Sequence, residues 1–382
     1  MELPAPTDDA ANLSRQLQQL ISEEISNRGP VSLEQFWQRA MYEPGLGYYS
    51  GPQHKFGSAG DFVTAPELGS VFGHCVASFL NQSLPDLAEA TILEPGAGSG
   101  AMAATLLQSL ESMDRLPARY QILEVSAELR QRQRETLGQR CPELLERISW
   151  LDQPPEDPWS GVLLANEVVD ALPARRFVRR DEGWDETRVG LGAEGLQWVA
   201  TPADQQDAAA LDRRAGIPDP GYHTEYQPMM APWVQALTAG LTRGLVLFCD
   251  YGYPRHEYYH PQRDRGTLVA HYRHRAHDDV LRWPGLQDLS VSVDFTALAE
   301  ACDGAGLEVW GYTTQAQFLL QNGLAEILSG ILDLPLEQQM AMHHEIKVLT
   351  LPAEMGDRFQ WLMAGRGLDP APLFALDQRG RL

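Results

Sequence analysis

The spacing of apolar residues along the first part of the chain is that of helices. In LSRQLQQLISEEIS apolar side chains recur every three to four positions, at Leu13, Leu17, Leu20, Ile21 and Ile25. This period predicts an amphipathic helix. The segment SLEQFWQRAMY begins with Ser32 and Gln35 in the spacing of a capping box, which predicts the start of a second helix. We therefore expect residues 12 to about 86 to be mainly helical, with one long loop.

From about residue 90, short apolar runs alternate with helical segments. Five runs read as buried strands, namely TILEPG, RYQILEVS, ERISWLD, GVLLANE and GLVLFCDYG. Strands of this kind separated by helices predict a parallel sheet in a doubly wound α/β fold. Three later runs are expected to supply the closing strands, namely LEVWGYTTQ, EIKVLTL and RFQWLMA.

The segment from about 181 to 235 does not fit this alternation. WDETRVGLGAEGLQWVAT has the alternating pattern of a hairpin, and an Ala- and Asp-rich stretch follows it. We interpret the segment as an insertion on the rim of the sheet. The domain prediction is a helical N-terminal region over residues 1–87, which includes the long loop, followed by the α/β domain over residues 88–382.

The net charge and the cysteine content limit which ligands and binding partners are expected. Acidic residues outnumber basic ones by 52 to 30, which leaves a formal net charge of −22. Such a surface repels a phosphate backbone and attracts a basic substrate, so we do not expect a nucleic acid partner. The four cysteines lie far apart without zinc spacing, and we predict neither disulfides nor a metal site. No membrane span, signal peptide or transit peptide is recognisable, so we expect a cytoplasmic bacterial protein.

The turn after the first strand, TILEPGAGSGAM, is the first candidate binding site. Gly96, Gly98 and Ala101 fit the dinucleotide template, and Gly100 supplies a third glycine. Glycines there let the backbone approach a ligand and direct helix N–H groups at it. Glu94 is poorly placed for a pyrophosphate but suits the cationic amino-acid part of S-adenosylmethionine.

Acidic residues also follow the next two strands. Glu124 can accept hydrogen bonds from both hydroxyls of a ribose, which either cofactor would offer, and the adjacent Val125 joins the candidate cofactor residues. Leu151 and Asp152 follow the third strand, where an adenine ring could be sandwiched and its amino group bonded. The alternative is that the glycines only shape a turn and the acids face solvent.

The fourth strand ends in LLANEVVDALPARRF, which carries Asn166, Glu167 and Asp170 beyond the carboxyl edge of the sheet. Ligands bind at that edge in open α/β folds, and we count Asn166 among the cofactor residues. Two carboxylates three residues apart could hold a guanidinium, orient one nitrogen and take the proton released on methylation. The alternative is that Asn166 and Asp170 cap a helix and Glu167 is a surface acid.

Five motifs together resemble the MidA-like methyltransferases, a family of S-adenosylmethionine-dependent enzymes. They are GDFVTAPELGSVFG, LEPGAGSGAMA, ANEVVDALPARRF, CDYGY and DLSVSVDFTALA, and the resemblance extends over roughly residues 30 to 365. The family includes a mitochondrial complex I assembly factor that methylates a protein arginine. The resemblance implies a class I methyltransferase fold, Rossmann-like, with a helical N-terminal part and insertions after strands four and five, the second at about 252–296.

The resemblance also assigns candidate site residues. It implies that the cofactor binds to Glu94, Gly96, Gly98, Gly100 and Glu124. It further implies that a segment we call the lid segment, GDFVTAPE at residues 60–67, closes over the site with Asp61, Phe62, Thr64, Pro66 and Glu67. His277 and Asp294 follow the fifth strand and are candidates for lining the acceptor cleft.

Other readings of the sequence stay open. His271, His274 and His277 are spaced by three residues, which on a helix could gather a metal, but a charged rim is the preferred interpretation. The apolar segment AEILSGILDLPL could be a homodimer face or core. The favoured function is methylation of a protein arginine with S-adenosylmethionine. The alternatives are a non-catalytic assembly factor or chaperone that keeps the cofactor fold, and a nicotinamide-dependent oxidoreductase.

Overall fold

The computed structural model describes residues 3–51, 64–216, 218–369 and 376–382. Its α-helices are α1 (Asp8–Arg28), α2 (Leu33–Tyr42), α3 (Ala65–Leu68), α4 (Val71–Ser83), α5 (Ala101–Ser112), α6 (Ala127–Arg140), α7 (Gln205–Ala215), α8 (Met230–Thr238), α9 (Arg255–Tyr258), α10 (Phe295–Gly304), α11 (Gln315–Gln321), α12 (Leu324–Gly330) and α13 (Leu336–Thr350). Among the described residues, no helix has both the length and the apolar character needed to cross a membrane.

The β-strands lie between and after these helices. They are β1 (Thr91–Pro95), β2 (Arg119–Leu123), β3 (Ile148–Leu151), β4 (Trp159–Asn166), β5 (Arg175–Arg179), β6 (Trp184–Gly192), β7 (Gly195–Pro202), β8 (His223–Tyr226), β9 (Leu241–Tyr253), β10 (Val269–Tyr272), β11 (Arg275–His277), β12 (Asp288–Ser290), β13 (Val293–Asp294), β14 (Glu308–Thr314) and β15 (Phe359–Arg366).

The chain divides into two compact units. The first consists of Met1–Phe62, Asp170–Met230 and Tyr253–Asp294, and the second of Val63–Val169, Ala231–Gly252 and Phe295–Leu382. Most of each predicted insertion therefore falls in the first unit, together with α1 and α2.

The second unit is built on the predicted parallel sheet. Its strands run in the order β14-β15-β9-β4-β1-β2-β3. The central strands are parallel, whereas β15 is antiparallel to both β9 and β14. The α/β class with a parallel central sheet is thus confirmed, and the carboxyl ends of β1 to β4 share one edge.

Burial explains why the central strands read as continuous apolar runs. Ile92, Val162, Leu164 and Leu247 are fully buried in the core of the second unit. Helices α4, α5 and α11 contribute to the same core, for example through Phe72, Leu106 and Phe318. A sheet covered by helices on its faces needs apolar side chains at successive positions rather than at alternate ones.

The first unit contains the two predicted N-terminal helices. The capping box of α2 forms, because Ser32 Oγ accepts from the Gln35 N–H at 3.1 Å and Gln35 Oε1 accepts from the Ser32 N–H at 2.9 Å. Strands β6 and β7 form the predicted hairpin within the sheet β7-β6-β5-β8. A second sheet runs β11-β10-β12, and Leu17, Trp37 and Leu289 belong to one buried cluster.

One predicted closing strand is wrong. EIKVLTL is the end of helix α13, whereas LEVWGYTTQ and RFQWLMA form β14 and β15. Glu345 and Leu349 are buried four residues apart on one helical face, and the Val71 N–H donates to Glu345 Oε1 at 2.7 Å. A short run with Ile and Val fits either period, and here tertiary contacts of one helical face outweigh β propensity.

Candidate active site

The glycine loop forms a turn that only glycine fits well. Gly96, Gly98 and Gly100 have φ angles of +65°, +53° and +85°, in the left-handed region. A Cβ atom at Gly96 would lie 2.8 Å from Val168 Cγ1. The loop therefore brings backbone close to the carboxyl edge of the sheet, immediately before helix α5.

Glu94 is buried beside this loop. Its side chain is 2% exposed, and its Oε2 accepts from the Tyr120 hydroxyl at 2.7 Å. Burial raises the pKa of Glu94 to about 7, and the nearby Glu124 adds to the rise while Tyr120 opposes it. A buried carboxylate of this kind is stabilised by a cation, which the amino group of a bound amino acid supplies.

Both carboxylate oxygens of Glu124 accept hydrogen bonds. It is 6% exposed, and its Oε1 accepts from the Ser126 N–H at 2.9 Å while its Oε2 accepts from Gln133 Nε2 at 3.1 Å. Burial raises the pKa of Glu124 above its ordinary value, and the hydrogen bonds oppose that rise. The carboxylate is therefore fixed in orientation at the end of β2.

Gln133 is a site residue that sequence reasoning missed. Its Nε2 also donates to the Gly98 carbonyl at 3.1 Å, and its Oε1 accepts from Trp150 Nε1 at 2.9 Å. Gln133 is fully buried on α6 and joins the glycine loop to Glu124. The available signal was a glutamine on the apolar i, i+4 face of that helix, between the buried Leu129 and Leu137.

The two candidate adenine residues lie at the end of β3. Asp152 has a side chain that is 87% exposed and forms an ion pair with Arg130 at 2.5 Å. Leu151 is partly buried, and its carbonyl accepts from Arg130 Nη2 at 2.8 Å. Val125, which follows Glu124, is 70% exposed despite being apolar. These positions border the same sheet edge as the glycine loop.

Glu167 follows β4 in an unusual backbone conformation. Its φ is +51°, which is costly for a residue with a Cβ, and its N–H donates to the Cys249 carbonyl at 2.8 Å. Glu167 Oε1 accepts from the Ala65 N–H at 3.2 Å and from Asn166 Nδ2 at 3.3 Å. A strained backbone at a ligand-binding edge is characteristic of functional positions.

The described part of the lid segment forms hydrogen bonds with residues of this site. Thr64 precedes α3, Pro66 lies in its first turn, and Glu67 accepts a hydrogen bond from the Ser99 hydroxyl of the glycine loop. Together with the Ala65 contact to Glu167, this bond ties α3 to both the cofactor loop and the end of β4. Asp61 and Phe62 lie outside the described residues.

Three candidate residues belong to the first unit. Asp170 is 7% exposed, and its carbonyl accepts from the Val291 N–H at 3.2 Å. Asp294 is 5% exposed and pairs with Arg214 at 3.6 Å and with Arg255 at 3.5 Å. His277 ends β11.

The three histidines lie on a hairpin and its turn rather than on a helix. Ala270 is opposite His277 and His271 is opposite Ala276, so His271 and His277 lie on opposite faces of the hairpin. His274 occupies the turn with a φ of +60°. Burial lowers the pKa of His271 to about 4, with a smaller contribution from His277. In the described part of the chain, no group of three metal-binding side chains is assembled.

The parallel sheet, its glycine turn and the acids at successive strand ends define an α/β enzyme that binds an adenosine cofactor. Over residues 72–313 the sequence matches a family described as "Putative S-adenosyl-L-methionine-dependent methyltransferase". Because the match extends over more than half of the chain, the protein belongs to this methyltransferase family. The MidA-like resemblance is confirmed.

Solved structures and curated relatives agree with this family. A "likely methyl transferase" from Burkholderia thailandensis, bound to S-adenosyl-homocysteine, is 39% identical with a TM-score of 0.94, and all of both chains is covered. The mitochondrial protein arginine methyltransferase NDUFAF7 of Danio rerio is 26% identical over 92% of this chain and 87% of its own length. The human protein of the same name is 27% identical, over 88% of this chain and 80% of its own length.

S-adenosylmethionine is therefore the cofactor, and the site fits it. The glycine turn adopts left-handed φ angles beside the strand ends, Glu94 is a buried carboxylate that a cationic amino group would stabilise, and Glu124 is oriented at the adjoining strand end. The nicotinamide alternative has no support from the family match or from the relative that holds S-adenosyl-homocysteine.

Proposed function

We propose that this methyltransferase acts on an arginine side chain of a protein and that Glu167 holds the acceptor. The observation that carries the proposal is the left-handed Glu167 at the end of β4, whose carboxylate is oriented by Ala65 and Asn166. The names of the NDUFAF7 relatives support arginine as the acceptor. The excess of acidic over basic residues favours a basic protein segment as the substrate.

The residues at the sheet edge would divide the work as follows. The cofactor supplies an electrophilic methyl group on a sulfonium. Glu94 and the glycine loop bind its amino-acid part, and Glu124 binds its ribose. A guanidinium is always protonated at neutral pH, so it needs an anionic partner that orients one nitrogen toward the methyl group.

Glu167 is suited to be that partner. Its carboxylate can bind two N–H groups of a guanidinium in a planar, bidentate arrangement. Bond formation between the acceptor nitrogen and the methyl carbon would break the carbon–sulfur bond of the cofactor, so that S-adenosylhomocysteine leaves. The acceptor nitrogen must also release a proton, and Glu167 is the candidate base that would take it. Asp170, the second predicted acceptor carboxylate, is buried in the first unit, and its role stays a prediction.

The test identifies the methylated residue. Lysate from cells that lack the gene is incubated with the purified protein and S-adenosylmethionine labelled in the methyl group. Labelled proteins are then hydrolysed and their methylated amino acids separated. We expect label in methylarginine that is absent with Glu167→Gln and present with Glu156→Gln, an exposed acid in the loop before β4. Label only in another amino acid would overturn the arginine assignment.

A non-catalytic assembly role makes the opposite prediction in cells. If the protein works by binding a partner, Glu167→Gln would restore a deletion strain as fully as the wild-type gene does. Loss of both methyl transfer and complementation in this variant supports catalysis.

A further inference from the structure

A fully buried carboxylate lies next to Glu167 and has no part in the mechanism described so far. Asp250 is 0% exposed near the end of β9, the strand that pairs with β4 in parallel. An ionised carboxylate in such a place is costly unless hydrogen bonds compensate for its lost hydration. The bonds that Asp250 makes therefore indicate what it stabilises.

Both oxygens of Asp250 accept backbone N–H groups. Oδ2 accepts from the Val169 N–H at 2.9 Å, and Oδ1 accepts from the N–H of the neighbouring Tyr251 at 2.9 Å. The first bond connects the end of β9 to the residue two positions after Glu167. The preceding residue of β9 makes a second connection, because the Cys249 carbonyl accepts from the Glu167 N–H at 2.8 Å.

These two connections bracket the strained position. Glu167 has a φ of +51°, and the chain is held to β9 at Glu167 itself and again at Val169. A left-handed residue with a Cβ persists only where its surroundings hold it, because relaxation to a negative φ is favourable. Such relaxation would move the Glu167 side chain away from Ala65 and Asn166.

The geometry points to a positioning role for Asp250: through the Val169 N–H it holds Glu167 in the backbone conformation that presents the catalytic carboxylate. The inference rests on the proposed role of Glu167. It requires only methyl transfer, whatever the acceptor, and so does not depend on the arginine assignment.

The test compares Asp250→Asn with Asp357→Asn, an exposed aspartate in the turn before β15. An amide has one accepting oxygen, so one of the two N–H groups at Asp250 must face an NH₂ group. We expect total label transfer by Asp250→Asn to fall by about tenfold or more, while the Kd for S-adenosylhomocysteine stays within about threefold. The double variant with Glu167→Gln should be no slower than Glu167→Gln alone, because both substitutions act through one carboxylate.

Two results separate this inference from the proposed function. A fully active Asp250→Asn beside an inactive Glu167→Gln would overturn the positioning role alone, as would losses that multiply in the double variant. A fully active Glu167→Gln would instead remove the proposed function. If Asp250→Asn does not fold, amide hydrogen exchange of the wild-type protein decides. A protected Val169 N–H is expected, and exchange at the rate of an open loop would contradict the anchor.

Discussion

Glu167 combines a strained backbone with a carboxylate that two hydrogen bonds hold in place. Its side chain accepts from the Ala65 N–H and from Asn166, while its φ of +51° is one that non-glycine residues adopt at a cost of about 1 kcal/mol or more. A protein that retains such strain loses stability there, which is typical of a functional position. The strain can be measured separately from the side chain's own bonds.

Substituting Glu167 by glycine and by alanine isolates that strain, because both changes remove the same side chain. We expect Glu167→Gly to be more stable than Glu167→Ala by about 1 kcal/mol in denaturant unfolding. The matched pair Gln131→Gly and Gln131→Ala, at an exposed position of helix α6, should show the opposite order by about 1 kcal/mol. Equal stability of the two Glu167 variants would mean that the left-handed conformation is not held in solution.

The raised pKa of Glu94 predicts how cofactor binding depends on pH. Since burial raises its pKa to about 7, the free protein holds a proton on Glu94 below that pH. The cationic amino group of the cofactor favours the ionised form, so binding releases the proton. We expect affinity for S-adenosylhomocysteine to rise up to about tenfold per pH unit between pH 5.5 and 7 and then to level off.

Glu94→Gln is the control for that pH profile. The variant should bind more weakly at pH 8 and should lose most of the rise between pH 5.5 and 7, as measured by calorimetric titration. The effect of Glu94 on the stability of the free protein has the opposite pH dependence to its effect on cofactor affinity. At Glu94 the native state binds more protons than the unfolded chain between about pH 4.5 and 7, so the contribution of this residue to stability falls with rising pH across that window. A pH profile unchanged by Glu94→Gln would contradict the role of this acid.

At the scale of elements, helix α6 supports the cofactor loop through the buried side chain of Gln133. Gln133 donates to Gly98 and to Glu124, and it accepts from Trp150. Gln133→Leu keeps the volume and the apolar face of α6 but leaves these groups without their partner. We expect the Kd for S-adenosylhomocysteine to rise by about tenfold with little change in secondary structure. Gln131→Leu, on the exposed face of α6, should leave the Kd unchanged, and a similar loss in both variants would exclude a specific role for Gln133.

Some elements of the fold could be predicted from the sequence and others could not. Strands β1 to β4 and the capping box at Ser32 were predictable, because continuous apolar runs and a fixed cap spacing are local signals. The position of Glu124 after β2 followed directly from those strands. The prediction of a strand at EIKVLTL is wrong because the helix there is stabilised by a non-local contact, the hydrogen bond between Glu345 and the start of α4.

Non-local contacts account for the part of the candidate site that the sequence did not reveal. Asp250 and Gln133 act on residues 81 and 35 positions away, and no spacing in the sequence indicates such pairs. The left-handed Glu167 likewise donates its N–H to Cys249 of β9, which is distant in the sequence. The sequence could therefore suggest which carboxylates face the cofactor edge, whereas the residues that orient them required the structure.

At the scale of the whole molecule, a row of apolar side chains is exposed on the second unit. It consists of Leu328 on α12, Leu332 in the turn after α12, and Leu336 and Met340 on α13, with exposures of 42%, 79%, 71% and 66%. The neighbouring Leu324 and Ile331 are buried, so the segment AEILSGILDLPL is core on one side only. A homodimer through this row stays a prediction.

Sedimentation analysis of charged variants tests the homodimer. If the row is the dimer face, wild-type protein sediments as a dimer and Leu336→Asp as a monomer, because a buried unpaired carboxylate is costly at an interface. Gln338→Asp adds the same charge at an exposed position of α13 outside the row and should remain dimeric. A monomeric wild-type protein at all concentrations would contradict the homodimer.

The central claim is that methyl transfer by this protein depends on the carboxylate of Glu167. The most direct measurement is the rate of label transfer by Glu167→Gln relative to wild type, at saturating S-adenosylmethionine and with equal folded protein. We expect a fall of about 100-fold or more, with the Kd for S-adenosylhomocysteine within about threefold of wild type. A rate within about threefold of wild type would contradict the account.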